Sequence, residues 1–433
     1  MLKLTRNRPV SKLALAVALA TGTALTGLAF ESPAAAQDKE KEAKPDYSKG
    51  FVEAYSAATK LMSAEPADIA GATAAIPTVM ASVSTPDDKL AAGQLMVNIG
   101  QTTSDDALLR RGLDTMLDSG RVPADRQTTY LVNSGDLARK AGDFDMARER
   151  FNAAHAAGHV RDDLPPIIAS TYFEEDRYQE GVAYLRGLID AEIAANRTPT
   201  KNWLEVAFSS AYNNDMALDA INLAALNVRH YPNETNWRNA IGVQRNLVDM
   251  TDDITLDLMR LSKRTGTLTD GRDYADYIEA ADPRRLPGEV ETLLDEAIAK
   301  GVLEANDPFV ADAQQTVDSR LAADRADLGD LERDAAKSDA SAVTASAAGD
   351  VFLSYGEAAK AERFYTAAID KPNANTDRVL TRLGIAQADQ GKYAEADKTF
   401  QKVSGQRSAI AALWRAYVAS KMNTSSAPAT MSM

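Results

Sequence analysis

Cysteine is missing altogether, and histidine occurs only three times in 433 residues. The first absence excludes disulfides, thiolate catalysis, cysteine-ligated zinc and an acylated-cysteine lipid anchor. The second leaves little for metal chemistry. His155 and His159 stand four apart, yet Ala156 and Ala157 follow where a zinc hydrolase places glutamate, and no third ligand accompanies them. A basic excess is missing too. The formal charge is -14 with a pI near 4.9, which argues against nucleic-acid binding through displaced counterions. Alternating runs of Val, Ile and Thr do not occur, so strand signal is nearly absent. There is no G-x-S-x-G elbow. The stretch Gly384–Lys392 lacks the spacing of a phosphate loop, and Tyr393 stands where Ser or Thr would hold magnesium. No catalytic residue, metal site or cofactor site is read from the chain.

What is present begins with an export pattern. Lys3, Arg6, Arg8 and Lys12 precede an apolar run from Leu13 to Phe30, and small residues at Ala34 and Ala36 stand before Gln37. A basic end, an apolar middle and an A-x-A site predict a cleaved secretory peptide over residues 1–36. The run is diluted by Thr21, Gly22, Thr23, Thr26 and Gly27, which disfavours a retained membrane anchor. Loss of that segment, with four basic groups and one acid, takes the net charge to -17. Residues 37–49 are charged with nothing to bury, and 422–433 are small and polar; both are expected to be disordered.

Between these ends, alanine, leucine, glutamate and arginine dominate, with turn-forming clusters such as "SAEPAD", "STPDD", "HYPNE" and "KPNANT" at short intervals. That composition predicts an all-α chain of three-turn helices. Thr85-Pro86-Asp87-Asp88 has the grammar of a helix start: a capping hydroxyl, a proline without an amide to waste, then acids for the positive helix end.

The helices repeat. From Gly135, Gly142 lies seven residues on, Ala147 twelve and Phe151 sixteen. The same offsets from Ala169 meet Asp176, Gly181 and Leu185; from Gly349, Gly356, Ala361 and Tyr365; from Gly384, Gly391, Ala396 and Phe400. The expected packing sets Gly135 on one helix against Ala147 on the next, with a left-handed residue at the turn. The large residue fills the gap to the following pair. One hairpin cannot cover its own apolar face, so several must stack.

The stretches "LVNSGDLARKAGDFDMARERFNAAHAAG" and "LTRLGIAQADQGKYAEADKTFQKV" resemble tetratricopeptide repeats. The resemblance implies a right-handed α-solenoid of stacked helical hairpins, some of them degenerate. It divides the chain into degenerate hairpins at 50–125, tetratricopeptide-like repeats at 126–232, degenerate hairpins at 233–340 and carboxy-terminal repeats at 341–421. It also implies a concave groove lined by the first helix of each pair. Carried onto this chain, the groove residues are Asp136, Arg139, Lys140, Ser170, Phe173, Glu174, Tyr212, Asn213, Arg238 and Arg245, with Asp350, Leu353, Ile385 and Asp389 near the carboxy terminus. The Lys/Asn clamp with which cytosolic family members hold a terminal carboxylate is replaced by Asp136 and Ser170.

The arginines with Phe173 and Tyr212 suit an extended peptide carrying acidic and apolar groups. The expected function is a non-enzymatic scaffold that binds a protein or peptide partner in the bacterial periplasm, in envelope assembly or secretion, or outside the cell if secreted. Neither nucleic acid nor stable membrane insertion after cleavage is expected. The competing reading is a glycan-acting enzyme or carbohydrate-binding helical protein. It would use acids between 237 and 332, Asp282 among them, or a tryptophan platform from Trp203, Trp237 or Trp414. Paired acids such as Asp105/Asp106 and Asp252/Asp253 read more simply as complements to helix dipoles.

Overall fold

The computed structural model describes residues 45–158 and 163–426, the last three by backbone only; the expected signal peptide and His159 lie outside these ranges. Within them there are twenty α-helices, one 3₁₀ turn and no strand. The amino-terminal half is a run of hairpins. Helices α1 (Lys49–Met62) and α2 (Ile69–Ala81) pair first, then α3 (Pro86–Thr103) with α4 (Asp106–Leu117) and α5 (Ala124–Lys140) with α6 (Phe144–Ala156). They are followed by α7 (Leu164–Phe173) with α8 (Tyr178–Ala194) and α9 (Lys201–Asn213) with α10 (Ala217–His230). Next in line are α11 (Glu234–Leu247), α12 (Asp252–Thr265), α13 (Gly271–Ala281), α14 (Pro287–Ala299) and the long α15 (Pro308–Ala335), each packed on the one before. Two further hairpins complete the chain: α16 (Ala342–Ser354) with α17 (Ala358–Ile369), and α18 (Thr376–Asp389) with α19 (Tyr393–Phe400), capped by a 3₁₀ turn (Gly405–Arg407) and α20 (Ser408–Ser426).

The chain is thus all-α and built of helical hairpins, as its composition predicts. Local chemistry explains the boundaries. Thr85 Oγ1 accepts the Asp88 amide at 3.0 Å and Asp88 Oδ2 accepts the Thr85 amide at 3.1 Å, a closed capping box with Pro86 inside it. The same carboxylate also takes the Ser48 amide and hydroxyl at 3.0 and 2.8 Å, which fixes the start of α1 on the start of α3. Ser48, expected in a disordered linker, is therefore held. At the far end α20 runs to Ser426, past residue 421, because helical hydrogen bonding propagates beyond the last buried side chain at little cost per residue.

The repeat offsets have a conformational meaning. Gly142, Asp176, Gly356 and Gly391, each seven residues from its origin, all have positive φ, and each lies two residues before a second helix begins. Asp215 does the same before α10, which the sequence pattern does not reveal. The packing partner of the origin residue differs from expectation. A Cβ at Gly135 would lie 2.5 Å from Phe151 Cε1, one at Gly349 2.6 Å from Tyr365 Cε1, and one at Gly384 2.5 Å from Phe400 Cε1. In these three repeats the atoms nearest the glycine belong to the ring sixteen residues on, whereas in the repeat counted from Ala169 the expected small pair meets, a Cβ at Gly181 lying 2.9 Å from the Ala169 carbonyl oxygen. An aromatic ring is the larger body and reaches across the helix interface, so it sets the closest approach.

The carboxy-terminal hairpins do not continue outward. They turn back, so that α20 packs on α10, α11 and α12 and one core joins Val228, Trp237 and Leu258 to Phe352, Phe400 and Trp414. Every residue of α18 from Val379 to Ala388 is buried. Leu353, Ile385 and Asp350, expected to line an open groove, are buried with them, at 6%, 0% and 8% exposure. The groove predicted over these hairpins is filled by the chain itself.

A charged cluster sits in this closure. Asp257 of α12 is fully buried; its Oδ2 accepts Arg407 Nη1 at 2.6 Å and its Oδ1 accepts Arg382 Nε at 3.0 Å and Arg260 Nη1 at 3.3 Å. Asp253, one turn earlier, takes Arg382 Nη2 at 2.6 Å, Arg378 Nε at 2.9 Å and a bond from Arg407. Asp350 accepts Arg382 Nη1 and the Tyr365 hydroxyl, each at 2.7 Å, together with Arg378. Glu289 receives Arg260 through Nε and Nη2 at 2.9 and 2.6 Å. Four guanidiniums meet four carboxylates. Burial pushes the Asp257 carboxyl up, but Arg382, Arg407 and Arg260 outweigh it and hold the pKa at about 2.

Gly384→Ala should lower stability by roughly 1–3 kcal/mol through overpacking against Phe400, whereas Gly187→Ala, exposed within α8 with open space around it, should raise it by about 0.5–1 kcal/mol. Urea unfolding followed by circular dichroism separates the two signs. Asp257→Asn leaves buried guanidiniums short of a charge and should cost roughly 3–5 kcal/mol. Because the folded pKa of Asp257 lies below its unfolded value, its stabilisation is complete above about pH 4 and is lost as pH falls through about 2. Acid titration of stability should show that slope in the parent protein and a shallower one in the variant.

Candidate functional site

With the carboxy-terminal face filled, the accessible first-helix surface is the one running from α5 through α7 and α9 to α11. Its sequence-predicted residues are spread along these helices rather than gathered in one pocket. Arg139 on α5 reaches Glu174 at the end of α7, its Nε 2.8 Å from Oε1. Lys140 pairs backward with Asp106 at the start of α4. On α9, Tyr212 stacks on Phe208 with ring centroids 6.0 Å apart, and its hydroxyl accepts Asn246 Nδ2 of α11 at 3.1 Å. Arg245 of α11 donates to Asp273 of α13 at 2.5 Å and also pairs with Asp276. The result is a ladder whose rungs join α5 to α7, α9 to α11 and α11 to α13.

The remaining predicted residues have simpler places. Arg238 pairs along its own helix with Glu234 at 2.5 Å. Phe173 is half-buried, stacked on Tyr178 at 6.0 Å and pressed over Gly181, so it packs within its own hairpin instead of facing a ligand. Asp136 and Ser170 are half-buried, and Asn213 is exposed at the end of α9. Asp389 forms a bidentate pair with Arg264, 2.6 Å from its Nε, and belongs to the closure.

The energetics of the rungs differ. The Arg139 and Glu174 side chains are 36% and 37% exposed, and Lys140 and Asp106 more so. Exposed pairs of this kind contribute about 0–1 kcal/mol, so an incoming carboxylate can take either cation from its partner at little cost. Arg245 is more enclosed, at 23% exposure against 14% for Asp273. Burial would lower its pKa, but the hydrogen bond it donates to Asp273 and the charge of Asp276 more than reverse that. Tyr212 at 37% and Leu218 at 78% exposure supply apolar surface around the turn between α9 and α10.

Four of the acids between 237 and 332 are held in ion pairs and hydrogen bonds. Asp273 and Asp276 are taken by Arg245, and Glu289 by Arg260 and the Tyr277 hydroxyl. Burial would raise the Glu296 pKa, but hydrogen bonds from Lys300, Lys263 and Tyr274 hold it at about 2. A general acid needs the opposite shift. Asp282 closes the turn after α13, its Oδ1 accepting the Arg284 amide at 3.0 Å. Trp203, Trp237 and Trp414 are all buried, so none offers a ring to a sugar. His155 ends α6, and no group of three metal-ligating side chains occurs among the described residues. No described helix is long and apolar enough to cross a membrane.

The charged closure is the feature that sequence reasoning misses. Asp253, Asp257 and Arg260 fall on one face of α12, a spacing that reads as an ordinary solvated stripe, and Arg382 and Arg407, which bind the two aspartates, lie more than a hundred residues away.

No protein-family model matches the chain, and no curated protein is similar to it. Among solved structures it is similar to the TPR2AB-domain:pHSP90 complex of yeast Sti1, at 15% identity over 69% of this chain and 96% of that one, with a TM-score of 0.23. It is also similar to Naa15/Naa10 bound to HypK-THB, at 14% identity over 83% of this chain and 63% of the other, less than two thirds of its length, with a TM-score of 0.24. The hairpin architecture stands on the helix pairing described above and borrows nothing from either likeness.

Proposed function

We propose that this chain is an exported, non-enzymatic scaffold that holds a protein or peptide partner on the ladder formed by α5, α7, α9 and α11, in envelope assembly or secretion. The observation that carries the reading is the exposed Arg139–Glu174 rung beside Lys140–Asp106, with Tyr212 further along the same set of helices. These groups are held before any partner arrives, so little ordering entropy is lost on binding. Their weak exchangeable pairs suit a partner segment with carboxylates, and Tyr212 and Leu218 suit apolar side chains next to them. Export rests on Lys3, Arg6, Arg8 and Lys12 ahead of the apolar run and on the small residues at Ala34 and Ala36. Asp273, Asp276, Glu289 and Glu296 are engaged by cations and tyrosines, which weighs against a glycan-acting reading built on those four acids.

The test uses photo-crosslinking from positions beside Tyr212 in cells, followed by sequencing of the captured protein. One partner should dominate, and Arg139→Glu with Lys140→Glu should remove it while leaving the melting temperature within about 1 °C, since exposed pairs add little stability. Capture unchanged by that double reversal contradicts the ladder as the binding face. The export reading requires that mass spectrometry of the envelope fraction find the amino terminus at Gln37; a chain still beginning at Met1 in the cytosol refutes it.

A further inference from the structure

A second cavity lies away from the ladder, where the turn before α14, the length of α16 and the loop between α17 and α18 meet. It measures about 320 Å³, at the small end of the range for ligand pockets. Its polar wall is rich in donors. Arg285 gives one guanidinium nitrogen to the Ala280 carbonyl at 3.1 Å, and no described carboxylate forms an ion pair with it. Arg378 commits Nε to Asp253 and Nη2 to Asp350, and its Nη1 bonds to no described residue. Asn375 uses its side-chain oxygen on the Arg378 amide at 3.3 Å, leaving its amide nitrogen without a described acceptor. Asn373 lines the same wall from a backbone with φ of 61°, a left-handed conformation that asparagine tolerates better than most residues.

The one carboxylate in the lining is Asp350, and both of its oxygens are engaged. Tyr365 and Arg382 occupy one oxygen and Arg378 the other. The cluster behind it holds four guanidiniums and four carboxylates, so the charge of Arg285 is left over. Aliphatic side chains share the lining: Leu286 is buried, and Val343, at 72% exposure, is among the most exposed large apolar side chains described. A donor-rich lining with one uncompensated cation and aliphatic side chains in the same cavity selects an anion with a short hydrocarbon body.

We propose that this cleft binds a carboxylate carried on a short branched aliphatic group, the carboxylate on Arg285 and Arg378 and the hydrocarbon on Val343 and Leu286. The site is independent of the partner ladder and stands or falls separately from it. The carboxylate can come from a free small acid or from an acidic side chain beside an aliphatic one in a peptide, and the experiment distinguishes the two.

Isothermal titration of the purified chain with 4-methylpentanoate, with its uncharged amide, and with a terminally blocked Leu-Glu peptide reads the site directly. At least one of the two carboxylates should bind at millimolar concentration and the amide should not. Binding of the free acid alone, or of both, identifies a small acid as sufficient; binding of the peptide alone identifies a protein side chain. Arg285→Ala and Val343→Asp, both at exposed positions, should each weaken binding roughly tenfold or more with unchanged circular dichroism. Failure of both carboxylates to bind overturns the proposal. So does equal binding of the amide, or affinity untouched by Arg285→Ala.

Discussion

Asp257 carries a negative charge at a fully buried position. A lone buried carboxylate would cost several kilocalories per mole or take up a proton. It does neither, because guanidiniums from its own helix, from α18 and from the 3₁₀ turn before α20 converge on it. Those guanidiniums are themselves buried, Arg382 at 1% and Arg407 at 5% exposure, and would be as costly without the carboxylates of α12 and α16. Each half of the cluster therefore requires the other. The indole of Trp414 extends the requirement to the backbone, donating to the Asp257 carbonyl at 3.1 Å. The carboxy-terminal hairpins can dock only where this set of charges is completed.

That docking divides the molecule by function. A hairpin array open along its whole length would present first-helix surface at both ends. Here α18, the first helix of the last pair, is enclosed by α12, α17, α19 and α20, and its groove face is spent on the fold. The surface free to meet another molecule shifts toward the amino-terminal hairpins. There the Arg139–Glu174 and Lys140–Asp106 pairs are exposed and weak. The same residue types, arginine and carboxylate, thus hold the chain together where water is excluded and stay exchangeable where it is present.

Much of the local structure was legible in the residues. The turn positions at Gly142, Asp176, Gly356 and Gly391 could be read because only glycine, asparagine or aspartate take positive φ cheaply, and each stood at the same offset. The Thr85 cap was equally clear. The choice of packing partner was not: small residues recur at both Gly135 and Ala147, and only three-dimensional reach shows that Phe151 fills the space over the glycine. Asp253 reads as a helix-dipole acid from its position in the first turn of α12, yet it serves arginines of α18 and of the 3₁₀ turn. Nothing in a one-dimensional pattern couples α12 to residues more than a hundred positions on. The candidate site was legible as a set of residue types on first helices, while the fact that almost every cation in it is already paired belongs to the fold.

Alanine-rich faces raise a problem of register that the charged cluster answers. Successive hairpins of this chain repeat their small and large residues at intervals of about one helix pair, so one apolar face resembles the next. Dispersion and burial are non-directional and would distinguish poorly between docking one turn higher or lower. A guanidinium fork is directional. Arg382 addresses Asp253, Asp257 and Asp350 on two helices with three different nitrogens, and a shift of one turn, about 5.4 Å, would leave each of them buried without a partner. An apolar replacement of equal volume could match the stability of such a cluster but not its selectivity. The directional bonds of Arg382 thereby favour one arrangement of the closure over those shifted by a turn.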